Sequence, residues 1–568
     1  MFLSLGPLLA GAFLFLVLWP GGHLGSYNGV RSYVEILCIL TLVLSLAGLR
    51  WLRNRPVTSG GGLHLLLLLP PAYLLIQSMQ VDDHLMRLES LKLVFFTVFA
   101  WFSACIFHSF HRNISWLRIS AITLLAASGG FLAEAFGLVS FATFKVPMTH
   151  MFVEFSAFGS SVFGGFGQRN VFASFLAAMT VWLIVITMKF HIVEKKTVAL
   201  TCLAIFISAF ALMLLGSKVG FIGLTFSLCF LCVYQYKRGR IGVLCPFIYS
   251  AVAGLFVGYL VGVFDATASS NSIERVAEAV SIDSSTSVRL DAIKLYFLLW
   301  LESPWFGSGE PFLWSVQGKV FEQPEIVGSA FASQIFSIRH GHNMLLQWLF
   351  EYGVLGVLFI IAPYLVWVSR LAESQVHRLV VISITLFPIV LHCLTEFPLL
   401  MSSLHWLLLV MIPISLSSPD TTSEFEVSKL ASRIIVLPVG VVLFVMAGYL
   451  AFAEHRSRQT LLTQTYLQEW ADYQQSTWHW MADPIVGVLG QDLAVTSMAS
   501  IFVESDQHEM LPLVSESSER LLRNYPSIAN YKRHIYLLEA MNSSTADSLQ
   551  ERLDRLIALR DGQSEEFR

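Results

Sequence analysis

The sequence predicts an all-α polytopic membrane protein with about thirteen transmembrane helices, a long outer loop and a C-terminal helical domain. Three observations predict this class. Of 568 residues, 55% are hydrophobic and only 13% are charged, whereas ordinary soluble domains carry about a quarter charged residues. Apolar runs close to the roughly 20 residues needed to cross a hydrocarbon core recur along the chain. The loops between those runs alternate in basic charge.

The runs lie near 2–19, 34–49, 62–79, 91–108, 116–137, 171–189, 197–215, 219–236, 241–264, 344–369, 378–394, 398–417 and 433–453. The first lacks a basic leader and a small-residue cleavage site, so it reads as a retained span. The third contains Pro70 and Pro71. One set of loops holds Arg50, Arg53, Arg55, Lys195, Lys196, Lys237, Arg238 and Arg240 among fifteen basic residues, and the short loops of the other set hold six. Cytoplasmic loops carry the Lys/Arg excess, which puts the N-terminus inside and the C-terminal segment outside. The organisation is therefore a membrane domain over 1–264, a large outer loop over 265–343, the last four spans over 344–453, and a soluble helical domain over 454–568. Within that domain "SSERLLRNYPSIANYKRHIYLLEAMN" and "TADSLQERLDRLIALR" show three-and-four apolar spacing, with Asp547 placed to cap the latter. The outer loop is too long for a simple connection and has a helical pattern of its own, "SVRLDAIKLYFLLWLESPW".

Net charge of −3 gives no argument for nucleic acid. All seven cysteines lie in apolar runs, so no disulfide framework is expected. Cys229 and Cys232 form a CxxC inside "SLCFLCVY", where packing is the expected role.

Five polar motifs fall at span ends on the outer face: "GGFGQRN" (164–170), "GSKVG" (216–220), "SVRLDAIKLY" (287–296), "RHGHN" (339–343) and "TEFPL" (395–399). A bundle could gather them around one pocket, and loops on a rigid scaffold commonly carry function. Each also has a plainer reading. Asn170 would be an N-cap beside an interfacial Arg169, Lys218 a snorkelling lysine in a turn, and Arg289 a headgroup contact. Glu396 would be a water-facing turn carboxylate. His340 and His342, with Arg339 before them and Asn343 after, would be a helix cap with interfacial histidines. A His-x-His pair needs a third ligand to hold zinc, and none is near, so no metal is expected. Taken together, the cations suit a departing diphosphate and a histidine suits the proton of an attacking hydroxyl. That chemistry is glycosyl transfer from a lipid diphosphate to an alcohol.

At these residues the chain resembles a family. The HxHN before "LLQWLFEYGVLG", the "R…ESPWFGSG" element and the long outer loop look like the Wzy/O-antigen ligase superfamily. "GFGQRN" and "TEFPL" look more like one branch, the bacterial O-linked oligosaccharyltransferases that glycosylate pilins and other exported proteins. The resemblance makes the outer face periplasmic and the membrane the bacterial inner membrane. It implies a glycan donor on undecaprenyl diphosphate, a pilin-like periplasmic protein acceptor, and no metal or other cofactor. It implies His342 as the base, with His340 second and Asn343 supporting, and Arg289 on the donor diphosphate. Lys218 stands where relatives often have arginine, and Gln168 and Glu396 would line the acceptor or sugar side. Where the branch often has tyrosine this chain has Phe397, so that hydroxyl's role does not carry over.

A ligase would deliver the glycan to a lipid A core and a polymerase to another repeat. The added outer domain favours a protein acceptor. A transporter or flippase would place ionisable groups near the midplane, where Glu134 is the main candidate, and a scaffold would need no histidine. Both would keep their function without His342.

Overall fold

The computed structural model describes residues 61–80, 84–110, 116–135, 169–189, 195–264, 284–309, 342–373, 375–417, 438–446, 503, 511–524 and 528–560. Among these residues the chain is helical and forms no strand. After a short helical lead-in from Gly61, the helices are α1 (Leu69–Gln80), α2 (His84–Phe110), α3 (Trp116–Ala135), α4 (Arg169–Lys189), α5 (Lys195–Leu215), α6 (Lys218–Lys237) and α7 (Ile241–Phe264). There follow α8 (Ser284–Glu302), α9 (Met344–Leu371), α10 (Val376–Cys393), α11 (Pro398–Met401) and α12 (Ser403–Leu416). The C-terminal helices are α13 (Leu511–Asn524), α14 (Ile528–Ala540) and α15 (Thr545–Arg560). Six of these, α4 to α7, α9 and α10, are long and apolar enough to cross a membrane. The expected spans 2–19 and 34–49 lie outside the described residues, and of 433–453 only 438–446 is described.

The chain divides into two compact units. The first comprises Met1–Leu69, Phe95–Ile282 and Ala362–Gly448. Its centre is α4, which packs against α3, α5, α6, α10 and α12. The sequence explains that position: Val171–Thr187 carries no charge on any face, and every residue in it is buried. A helix that is apolar all round is stable only when enclosed by other helices or lipid. The approach of α7 to α5 follows from small residues. Gly254 and Gly258, four apart, leave no room for a Cβ against Phe206, Ala209 and Met213 of α5, the close packing that small-xxx-small patterns permit. Several polar groups inside this unit pair across helices: Thr180 with Ser208, Trp182 Nε1 with Ser415 Oγ, and Ser227 Oγ with the Ile384 carbonyl. Lys189 Nζ donates to the Ser415 and Ser417 carbonyls at 2.8 and 3.0 Å, closing the C-terminal end of α12.

The single span expected over 398–417 is broken. Pro398 opens the four-residue α11, and Ser402 is extended at φ −145°, ψ 117° before α12 begins. The 14 residues of α12 rise about 21 Å, short of a hydrocarbon core of about 30 Å. Hydropathy alone ran across this break because both sides of it are apolar.

The second unit comprises Pro70–Val94, Asp283–Ile361 and Tyr449–Arg568. Here α8 lays Ala292, Leu295, Tyr296 and Leu299 against Leu346 and Phe350 of α9 in one apolar cluster. The span expected over 344–369 is not one straight helix. Gly353 has φ 65° and ψ −177° and divides α9 into a short N-terminal piece and a longer C-terminal one. The "SPWFGSG" turn after α8 satisfies both broken ends. Val354 and Leu355 donate N–H to the Pro304 and Trp305 carbonyls, and the Phe350 and Glu351 carbonyls accept from Ser308 and Gly309. Buried backbone groups must find partners, so a kink of this kind inside a span requires such a turn beside it. In the C-terminal helices, Leu522, Tyr531, Ile535 and Leu553 form a separate apolar cluster. Burial there pushes the His534 imidazole below its usual value, partly opposed by Glu519. Asp547 sits inside the first turn of α15, not at the cap position expected for it; there its charge favours the helix dipole, and the Thr545 N–H meets Ser543 Oγ.

Candidate active site

In the first unit two of the motifs meet. Asn170 lies inside α4 and is not its cap. Ser217 caps α6, its Oγ accepting from the Gly220 N–H at 3.3 Å. The same hydroxyl donates to Asn170 Oδ1 at 2.8 Å, which ties "GQRN" to "GSKVG". Lys218 is the first helical residue of α6, where a turn was expected. Gly220 touches Ala173 so closely that a Cβ there would overlap it. Glu396 is only 4% exposed, which overturns the reading of a water-facing turn carboxylate. Its N–H bonds the His392 carbonyl at 2.8 Å, and Phe397 beside it is fully buried. Gln168 lies outside the described residues.

Sequence reasoning missed the groups beneath these motifs. Ser174 Oγ lies 2.8 Å from His392 Nδ1 and 2.9 Å from His405 Nε2, and all three side chains are fully buried. The same oxygen also lies 3.0 Å from the Val171 carbonyl. A hydroxyl has one hydrogen to give, so at least one of the two imidazoles donates its N–H to the serine oxygen. One hydroxyl thus pins α4, α10 and α12. Ser174 lies one turn from Asn170, and His392 one turn from Glu396. The signal available in the sequence was a histidine on each side of "TEFPL", inside otherwise apolar runs. Replacing His405 with alanine should cost roughly 1–2 kcal/mol, read as a lower unfolding temperature of the detergent-solubilised protein. His405→Gln, which keeps an N–H donor near the Nε2 position, should recover most of the loss.

In the second unit Asn343 is a true helix cap. Its Oδ1 accepts from the Leu346 N–H at 2.9 Å, and its carbonyl accepts from Gln347. The plainer reading of that residue therefore holds. His342 just before it is partly exposed and has φ 46°, a left-handed backbone in which histidine is more common than most residues. Arg289 sits on α8, one turn before Ala292; Leu346 lies one turn after His342, and both apolar residues belong to the same cluster. Two further polar groups, Gln347 and Glu351, are buried and joined at 2.9 Å from Nε2 to Oε1. Glu351 escaped attention because "QWLFEYG" reads as continuous span. Arg339 and His340 lie outside the described residues. Asn170, Lys218 and Glu396 thus belong to the first unit, and Arg289, His342 and Asn343 to the second.

Helices of this length and hydropathy, with polar residues gathered at span ends, define a multi-pass membrane protein. Residues 203–361 match the family model described as O-antigen ligase, and residues 380–559 match that described as virulence factor membrane-bound polymerase, C-terminal. The chain belongs to the Wzy/O-antigen ligase superfamily, and this membership supports a membrane enzyme of the glycan ligase or polymerase kind. Among curated proteins no sequence matches it.

Proposed function

We propose that the protein is an O-oligosaccharyltransferase of the bacterial inner membrane, with its N-terminus cytoplasmic and its C-terminal domain periplasmic. It moves a glycan from undecaprenyl diphosphate to Ser or Thr of a periplasmic protein of pilin type. The observation that carries the reading is the 203–361 match, which takes in Lys218, Arg289 and His342–Asn343 in one family segment. The acceptor hydroxyl attacks the anomeric carbon and the carbon–oxygen bond to the diphosphate breaks. His342 takes the hydroxyl proton, and the diphosphate leaves with Arg289 offsetting its charge. Asn170 and Glu396, with Gln168 and Arg169, serve the sugar or acceptor side, and Arg339 and His340 assist His342. The C-terminal helices supply a surface for a folded acceptor.

The two family descriptions fit a second reading as well, in which the acceptor is a lipid A core or another glycan repeat. Donor use is common to both. Arg289→Ala should raise the KM for the lipid-linked donor about 10- to 100-fold, the worth of a charge-assisted hydrogen bond, and leave acceptor KM unchanged. An unaltered donor KM in reconstituted vesicles would remove Arg289 from the diphosphate.

A further inference from the structure

Helix α8 is apolar on two sides. One side is buried against α9, as above. On the other, Leu290, Phe297, Leu298 and Leu301 remain 39–50% exposed, and Trp305 and Phe306 in the following turn are 62% and 66% exposed. The spacing of the four helical positions, i, i+7, i+8 and i+11, makes one continuous stripe. A water-facing loop helix would carry polar residues there. A helix of the outer loop surrounded by water would not present such a face.

The level of the turn says what covers the stripe. Trp305 is held by a backbone hydrogen bond at the Gly353 kink, where the longer C-terminal piece of α9 begins. From Val354 to Leu371 that piece rises about 27 Å, close to the roughly 30 Å of the hydrocarbon core. Trp305 and Phe306 then stand at the edge of the core, where bilayers favour such rings. On the same piece of α9, Leu358 and Phe359 are exposed as well. Lys294, exposed on the same stripe, can reach the phosphate level from a buried stem, and Arg289 adds a second basic group one turn from Ala292.

We infer that α8 and the 305–306 turn form a membrane-interface element, with the stripe Leu290–Phe297–Leu298–Leu301 immersed among the acyl chains of the outer leaflet. This holds whether or not the protein transfers glycans. It places Arg289 at headgroup depth by a route independent of any donor.

Photo-crosslinking of the full-length protein in its own membranes tests the inference. A benzophenone amino acid is introduced singly at positions 297, 298, 301 and 306, and at Glu551, exposed on α15, as the reference. After irradiation, mass spectrometry should find phospholipid adducts at the four positions at least ten-fold above position 551. Absence of lipid adducts, or adducts only with protein, would overturn the inference. Adducts confined to polyprenyl lipid would overturn it too, because the stripe would then be a donor seat and not a bilayer contact. Exposed positions tolerate the bulky probe, so failure to fold does not blur the result.

Discussion

Substituting His342 by alanine should lower glycan transfer about 10²- to 10⁴-fold, the usual contribution of a positioned general base. The backbone complicates the alanine variant, because φ is 46° at this residue and alanine resists that conformation. Asparagine tolerates it and cannot act as a base at neutral pH, so His342→Asn should show the same loss while preserving the turn. The neighbouring cap provides the contrast. Asn343→Ala removes the acceptor for the Leu346 N–H and should cost about 1 kcal/mol of stability. Its transfer rate per folded molecule should fall far less. Rates measured on purified variants with a lipid-linked donor check this; His342→Asn with near wild-type turnover would exclude the base role.

Gly353→Ala should be the most damaging change to the fold. At φ 65° and ψ −177° the backbone occupies a region open essentially to glycine alone. A Cβ there would also run into the Trp305 carbonyl and the Phe306 nitrogen. Relief requires the 304–309 turn to withdraw, which breaks the bonds from Val354, Leu355, Ser308 and Gly309 together. Each stranded group costs on the order of 1–3 kcal/mol. Gly309→Ala provides the control, because Gly309 also has positive φ, 72°, but has nothing within 4 Å of a Cβ. It should lose only about 1–2 kcal/mol. Yield and unfolding temperature in detergent should fall steeply for Gly353→Ala and modestly for Gly309→Ala. Equal effects would show that the turn does not hold the kink.

Much of this fold was legible in the residues because membrane spans announce themselves by hydropathy. The run read as 171–189 is α4, Arg169–Lys189, and that read as 378–394 is α10, Val376–Cys393. What hydropathy does not encode is backbone direction. "LFEYGVLG" and "PLLMSSLHW" are mostly apolar on both sides of their breaks at Gly353 and Ser402, and only φ and ψ reveal them. The partner that makes the first break possible, the 304–309 turn, lies more than forty residues earlier.

The candidate site divides the same way. Local chemistry was readable: Asn343 caps its helix, and Asn170 and Lys218 lie in motifs that meet through Ser217. Burial was not. Glu396 sits in a short turn that looks exposed in sequence, yet it is enclosed beside a fully buried Phe397. The Ser174–His392–His405 cluster joins residues 218 and 231 positions apart, a pairing that no local pattern specifies. The exposed stripe of α8 was hidden for the opposite reason. Its residues alternate with those of the buried side, and sequence shows one apolar helix without saying that two surfaces must be covered.

The most direct measurement is glycan transfer by the purified full-length protein in vesicles, supplied with an undecaprenyl-diphosphate-linked glycan and three acceptors together. These are a pilin-type protein, a lipid A core and a free lipid-linked repeat. Mass spectrometry of the products should find the glycan on Ser or Thr of the protein, with undecaprenyl diphosphate released in equal amount. Glycan found only on the lipid A core or on another repeat, with the protein unmodified, would contradict a protein acceptor.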